Sequence, residues 1–278
     1  MKRIHKTLIL AALAASFGGA QAATTLGSTD FAFTAANVNT TLGGWSFVTF
    51  VDITAGTTIY FTDTNVLQTP TASGVFSTSA ETFWSWTAGA DVAAGTSVAL
   101  LGTGVSGQYA AKSGAAGGSA NGTVTNLNGG VSNISSSGDI LYAYQAASYS
   151  TNYQPAGITF LGAISNRGTY SSSDNPTAAT GLSGIQLREF KVDAATATRY
   201  TQFTPQVTTN DSPYASLDEL KAALALSGNW TTVAASNTIP VVSDVLAVSA
   251  VPEPGSYALM LAGLAAVGGI ARRRSNQR

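Results

Sequence analysis

The sequence is short of reactive and charged side chains. Its 278 residues include no cysteine and one histidine, and only 10% of them are charged. The absence of cysteine excludes disulfides, thiolate nucleophiles, Cys-ligated zinc and iron–sulfur clusters. His5 is the one histidine available for a Ser–His–Asp triad. With 45% hydrophobic residues, the chain can bury a core, as one large all-β domain or as two small ones.

Residues 1–22 predict a secretory signal peptide. The chain begins with three basic residues, Lys2, Arg3 and Lys6, and a short apolar run over 8–15 follows. Ala20 and Ala22 then form the small-x-small pattern of a signal-peptidase site. The apolar run is too short for a membrane anchor, which takes about 20 residues. Cleavage after Ala22 would remove His5 and leave a mature chain without His or Cys.

The last 28 residues have three parts in a fixed order. Pro252, Glu253 and Pro254 come first, an uncharged apolar stretch covers 257–271, and Arg272, Arg273 and Arg274 follow. The stretch predicts a short membrane helix with its arginines on the cytoplasmic side. The alternative is an apolar helix packed on the folded domain, but small residues on all of its faces make a poor amphipathic design.

This order resembles the PEP-CTERM sorting signal of Gram-negative bacteria. The resemblance implies that exosortase, an integral membrane protease, recognises Pro252, Glu253 and Pro254 and cuts near them, while the Arg cluster over 272–274 stops transfer. These residues are then substrate features and not a catalytic site. The implied route is export across the inner membrane, transient anchoring by the C-terminal helix, and display on the cell surface or in the extracellular matrix of a biofilm.

The segment between the two ends is acidic. Between Ala23 and Pro254 lie all 14 acidic residues but only six of the 13 basic ones, which leaves a net charge of −8. Such a body should repel nucleic acid and anionic membrane surfaces. We therefore expect no nucleic-acid partner.

Short β-branched and aromatic runs between turn residues predict an all-β domain over 23–248, an antiparallel β-sandwich. The predicted strands are 45–51, 58–62, 82–86, 97–101, 140–144, 158–164, 185–190 and 241–248. A stretch rich in Gly, Ser and Asn over about 102–138 predicts a surface excursion or flexible hairpins. One short helix is expected from Ser216 to Gly228, with Ser216 and Glu219 as a capping box, closing one end of the sandwich.

Four segments of this body carry a second resemblance. They are 47–63, 137–145, 160–168 and 213–230, and they occur in the order seen in exported bacterial domains that are similar to lamin-tail-like, immunoglobulin-like modules. The resemblance implies a sandwich fold for most of residues 27–235. It supplies no catalytic residues, because its motifs are structural.

An internal repeat links two of the predicted turns. Residues 52–59 recur 39 positions later as 91–98, with the shared pattern Asp-apolar-x-Ala-Gly-Thr-Thr/Ser-apolar. One interpretation is a strand–turn–strand corner used twice, in which Asp and Thr side chains bond local backbone. The other is a ligand site made twice.

Three kinds of site chemistry can be considered. A glycosidase needs two carboxylates, and the candidates are Asp52, Asp63, Glu81, Asp91 and Asp139, with no spacing that selects a pair. Structural calcium is the one cofactor considered, at 63–65 and 174–175, where hard oxygen ligands fall in loops. Trp84 and Trp86 share a strand face and would contact sugar if that face were exposed, or form core if it were buried.

These observations predict a non-catalytic, exosortase-sorted protein with a structural or adhesive role at the cell surface. Its processing partners would be signal peptidase and exosortase, with the inner membrane as a transient contact. The alternative is a carbohydrate-binding module for exopolysaccharide, and a third class is a polysaccharide hydrolase.

Overall fold

A computed structural model describes much of the chain between Ala22 and Val233. The described ranges are 22–38, 43–67, 75–77, 81–114, 119–129, 135, 138–147, 157–166, 175–189, 200–204 and 214–233. Within them, no helix has the length and apolar character needed to cross a membrane. Three predicted features lie outside the described residues: the signal peptide up to Gln21, the strand over 241–248 and the C-terminal membrane helix over 257–271.

The described part of the chain contains fifteen strands and two helices. The strands are β1 (Phe31–Asn37), β2 (Gly44–Thr49), β3 (Thr58–Thr62), β4 (Val66–Leu67), β5 (Val75–Phe76), β6 (Phe83–Thr87), β7 (Ser97–Gly102), β8 (Tyr109–Ser113), β9 (Ser119–Ala120), β10 (Thr123–Asn126), β11 (Ile140–Gln145), β12 (Thr159–Ser165), β13 (Leu187–Glu189), β14 (Tyr200–Phe203) and β15 (Trp230–Val233). The helices are α1 (Pro176–Thr180) and α2 (Leu217–Ala225).

Two sheets carry nearly all of these strands. One has seven strands in the order β15-β14-β1-β2-β7-β8-β9, and the other has six in the order β10-β6-β3-β11-β12-β13. Strands β4 and β5 form a separate hairpin. Every pairing is antiparallel except the short parallel contact of β12 with β13. The structure therefore has the two-sheet, all-β character that the strand pattern predicts.

Alternation along the strands creates three hydrophobic layers. Inward residues of both sheets form the inner core, in which Trp45, Phe47 and Phe61 pack with Trp84 and Trp86. The outer face of the six-stranded sheet is covered by the β4–β5 hairpin and α1, and helix α2 covers the outer face of the seven-stranded sheet. Because both faces of the seven-stranded sheet are covered, all six residues of β2 are buried.

Helix α2 differs in two respects from its prediction. The Ser216 side chain accepts from the Glu219 amide at 3.2 Å as expected, but the Glu219 carboxylate accepts from the Ala215 amide, one residue before the cap. The helix ends at Ala225, and Gly228 lies in the following 3-10 turn. The helix packs through Leu220 and Leu224 against a sheet face and does not close an end of the sandwich.

The described residues of the stretch over 102–138 include strands, in line with the second interpretation of that stretch as hairpins. Strands β8 and β9 extend the seven-stranded sheet beyond β7, and β10 pairs with β6 at the edge of the other sheet. The chain changes sheets at Gly122, which has φ 85°, and a Cβ there would lie 2.0 Å from the Thr87 carbonyl oxygen. Only glycine fits this close approach. The Gly-rich stretch is thus built into both sheets.

The internal repeat is part of a duplicated arch. Strand β2, a corner and strand β3 form the first copy, and β6, a corner and β7 form the second, 39 residues later. Strand β2 pairs with β7 and β3 with β6, so the two copies cross between the sheets in opposite directions. Trp45 opposite Leu100 in one pairing matches Trp84 opposite Phe61 in the other. The copies are therefore related by a pseudo-twofold axis.

The two corners are joined by reciprocal contacts. Ile53 and Val92 exchange both main-chain hydrogen bonds at 2.8 Å. Asp52 Oδ1 accepts from the Ala94 amide at 2.8 Å, and Asp91 Oδ1 accepts from the Ala55 amide at 2.7 Å. The corner interpretation of the repeat is confirmed, but each aspartate bonds the partner corner and not its own turn. These bonds occupy one oxygen of each carboxylate, which leaves a duplicated ligand site without support.

We expect Asp52→Ala and Asp91→Ala to lower the free energy of unfolding by similar amounts, because they remove equivalent bonds. The loss should be about 1 kcal/mol each, at the low end for bonds to a charged acceptor, since both aspartates are exposed. Urea unfolding of the mature protein measures it. Glu189→Ala, at another exposed acidic residue, is the matched control and should have little effect. A loss at one corner only would contradict the reciprocal lock.

Candidate functional site

The tryptophans considered for sugar contact lie in the core. Trp84 and Trp86 are both 0% exposed. Each indole donates its N–H to a main-chain carbonyl, Trp84 to Gly107 at 3.1 Å and Trp86 to Asn121 at 2.8 Å. Trp84 also packs edge-on against Trp45, with ring centroids 5.3 Å apart. The shared face is confirmed, but it is the inner face, so a sugar contact through these two residues is wrong for this fold.

The five carboxylates considered as glycosidase candidates lie in two separate places in the structure. Asp52 and Asp91 hold the corners, as described above. Asp63, Glu81 and Asp139 come together at one end of the six-stranded sheet, where β3 ends and β6 and β11 begin. Both Asp139 oxygens accept main-chain bonds, from Ile140 at 2.8 Å and Ser135 at 3.1 Å. Asp139 therefore fixes the start of β11.

Asp63 is the most perturbed carboxyl group at this end of the sheet. Burial raises the pKa of Asp63 to about 7, and the negative charges of Asp139 and Glu81 act in the same direction. The Thr82 amide donates to Asp63 Oδ1 at 2.9 Å, which opposes the shift without cancelling it. A raised carboxyl pKa is what a general acid needs. Asp63 is only 1% exposed, however, so a polysaccharide has no route to it.

Calcium at 63–65 has partial support from the chemistry of its donors. Thr64 Oγ1, Asn65 Oδ1 and Glu81 Oε2 are buried oxygens without a hydrogen-bond partner, and hard oxygens are what calcium prefers. The fit is incomplete, because among the described residues no three Asp, Glu or His side chains are placed to share an ion. Asn175, from the other candidate loop, caps α1 by accepting from the Ala178 amide, and Asp174 lies outside the described residues. Structural calcium stays a prediction.

Two cavities of similar size open on the surface. One, of about 310 Å³, lies between edge strands β8 and β10, and its Tyr109 ring is covered by Trp45 at 4.6 Å and Trp84 at 5.7 Å. The other, of about 330 Å³, is lined by no charged side chain. We call it the threonine groove; its lining includes Thr24, Thr25, Tyr60, Gln145, Ala147 and Thr159. Neither of these two cavities is lined by an acidic residue.

The residues just after the predicted signal-peptidase site form one wall of the threonine groove. Ala22 is exposed, and its carbonyl accepts from Thr54 Oγ1 at 2.9 Å. Ala20 lies outside the described residues, as do Pro252, Glu253, Pro254 and Arg272, Arg273 and Arg274. The structure therefore shows only the downstream side of the N-terminal site.

Comparison with protein families decides what the C-terminus is. Residues 250–275 match the PEP-CTERM protein-sorting motif. The resemblance drawn for this end of the chain is confirmed, and the motif indicates an exosortase-sorted extracellular protein. No family match covers the body, and no curated protein or solved structure matches the chain.

Sequence reasoning missed the full extent of the repeat. The 39-residue offset relates Trp45 to Trp84 and Phe47 to Trp86, seven and five residues before the shared Asp of each corner. Extending the comparison backwards from Asp52 and Asp91 would have found both pairs. Such a match predicts that Trp45 and Trp84 occupy equivalent positions. Two equivalent residues close to a pseudo-twofold axis lie next to each other, here in the core.

We expect the stability of the wild-type protein to fall between about pH 4 and pH 7. The pKa of Asp63 is about 7 in the folded protein against 3.8 as the ordinary value, so the folded state holds a proton that the unfolded state has lost in this window. Asp63→Asn should flatten the decline. Urea unfolding at several pH values tests this, with Glu189→Gln as the exposed control. An unchanged pH profile in Asp63→Asn would contradict the assignment.

Proposed function

We propose that this protein is exported, sorted by exosortase and retained at the cell surface or in the extracellular matrix, where it has a structural or adhesive role. The match of residues 250–275 to the sorting motif carries the proposal. Signal peptidase would first cut after Ala22, and exosortase would then cut near Pro252–Pro254. We take the body to resemble lamin-tail-like, immunoglobulin-like modules in this role, without catalysis.

The folded body supports a non-catalytic role. Of its candidate carboxylates, Asp52, Asp91 and Asp139 accept main-chain amide bonds and Asp63 is buried. Trp45, Trp84 and Trp86 fill the inner core. The mature chain also lacks His and Cys if cleavage follows Ala22. A turnover assay of the mature protein on a broad polysaccharide panel would overturn this part of the proposal if it detected hydrolysis.

Loss of the sorting motif should block processing. We expect Glu253→Ala, or removal of Arg272–Arg274, to leave the C-terminal segment on the chain and the protein in the membrane fraction of an exosortase-containing host. Mass spectrometry of culture supernatant and membranes measures both effects and any covalent C-terminal adduct. Glu189→Ala, in the folded body, should be processed normally. Release of Glu253→Ala with the wild-type mass would refute exosortase sorting.

The threonine groove favours carbohydrate binding as a second candidate function. Four threonines, the Gln145 carboxamide and the Tyr60 ring contribute to its lining, together with small residues that include Gly56 and Gly157. Hydroxyl and amide groups suit an uncharged, hydroxyl-rich ligand, and about 330 Å³ falls at the small end of the range for ligand sites. The ligand of this candidate function is a short stretch of exopolysaccharide.

Filling the groove should weaken such binding. Ala147 is exposed at its rim, and Ala147→Trp would occupy the space without removing a buried contact. We expect affinity for the producer's own exopolysaccharide to fall at least about tenfold. Ala110→Trp, at an exposed alanine of β8, is the matched control. Equal binding by both variants would exclude the groove, and no binding by the wild type would leave the structural role alone.

A further inference from the structure

The described residues on both sides of the predicted signal-peptidase bond make tertiary contacts, from Ala22 onward. Residues 23–27, which we call the strap, run along the first corner of the duplicated arch. The Thr24 amide donates to Thr57 Oγ1 at 2.8 Å, and the Thr24 hydroxyl bonds the Asp52 carbonyl at 3.1 Å and the Thr54 amide at 3.0 Å. Both the backbone and the side chain of Thr24 are therefore engaged by the corner.

Gln145 holds the strap against the six-stranded sheet through hydrogen bonds. It lies in β11, more than a hundred residues from the strap in the sequence. Its Oε1 accepts from the Leu26 amide at 2.8 Å. Its Nε2 donates to the Thr24 carbonyl at 3.0 Å and to the Thr58 carbonyl at 3.1 Å. One carboxamide thus joins two residues of the strap to β3. The Leu26 side chain, 2% exposed, adds an anchor in the inner core.

The second corner shows that such a support is part of the arch. There the Asn121 carboxamide accepts from the Gly89 and Ala90 amides at 3.0 Å and donates to Ser113 Oγ at 3.0 Å. Asn121 comes from the β9–β10 connection, within the folded body. The first corner receives its support from the strap and Gln145. The strap is therefore part of the folded domain, because it supports the first corner.

The docked strap occupies the groups that a peptidase would need. Proteins that capture an extended peptide do so largely through its main-chain N–H and C=O groups. At Thr24, the second residue after the Ala22–Ala23 bond, both groups already bond to the domain, and the Ala22 carbonyl accepts from Thr54. Leu26 is buried three residues beyond Ala23, so the domain is held within about 10 Å of the bond.

We propose that docking of the strap makes the Ala22–Ala23 peptide bond inaccessible to signal peptidase. Cleavage must then occur before the domain finishes folding. The inference rests on the proposed export and signal peptide. Hydrolysis consumes one water and leaves a carboxylate on Ala22 and an ammonium group on Ala23. The freed strap then docks and supports the first corner. Gln145 is the positioning residue that holds this closed state.

Cleavage of the folded, full-length precursor in detergent by purified signal peptidase tests the order of events. We expect slow cleavage of the wild type and about tenfold faster cleavage of Gln145→Ala, which releases the strap. Gln108→Ala, at an exposed glutamine, should match the wild type. Equal rates for the wild type and Gln145→Ala would overturn the proposal.

A second variant separates local release from general loss of stability. Leu224→Ala removes a buried side chain of α2, on the outer face of the other sheet, and should lower the melting temperature without touching the strap. Cleavage of Leu224→Ala at the wild-type rate supports the strap. Acceleration equal to that of Gln145→Ala would show that global unfolding exposes the bond, and the proposal fails. An exported protein that begins elsewhere than Ala23 would instead refute the proposed signal peptide.

Discussion

The two corners between the sheets hold each other, and this mutual contact positions the rest of the sandwich. The Ile53–Val92 bridge and the crossed aspartate bonds fix how the first arch meets the second. With the corners fixed in this way, one edge of β2 pairs with β7 and one edge of β3 pairs with β6. Trp45 and Trp84 then pack edge-on against each other in the inner core, where an aromatic pair adds about 0.5–1.5 kcal/mol beyond its buried area.

The contacts that support the two corners do not follow the pseudo-twofold symmetry of the arch. Both corners are held by contacts from outside the repeat, but these contacts come from unrelated parts of the chain. Asn121 lies between the edge strands of the two sheets, whereas the strap arrives from the N-terminus and needs Gln145 to hold it. The strands at the edges of the two sheets, β9 and β15 in one and β10 and β13 in the other, lie outside the 39-residue repeat.

The sequence predicts the strands that carry longer runs of β-branched and aromatic residues, such as β3 and β11. It misses β1 and β8, whose alanines have little strand preference. It also misses β10, β14 and β15, whose β-branched and aromatic residues form strands of only four residues. Strand β1 is central because β2 and β14 pair with both of its edges, and that pairing cannot be read from local composition. The tryptophan face is a similar case. The two-residue alternation of a strand predicts that Trp84 and Trp86 lie on the same face. That this face points inward follows only from the second sheet, which packs against it.

The polar interior is built mostly from groups that do not titrate. Of the fifteen buried polar residues in the described part of the chain, thirteen are Ser, Thr or Asn, whose hydrogen bonds do not change with pH. Both corner supports are carboxamides for which the same is true. Asp63 and Asp139 are the exceptions, and Asp139 is held by main-chain amides. The pH response of the core is therefore concentrated at Asp63, while the carboxamide supports of the two corners do not titrate.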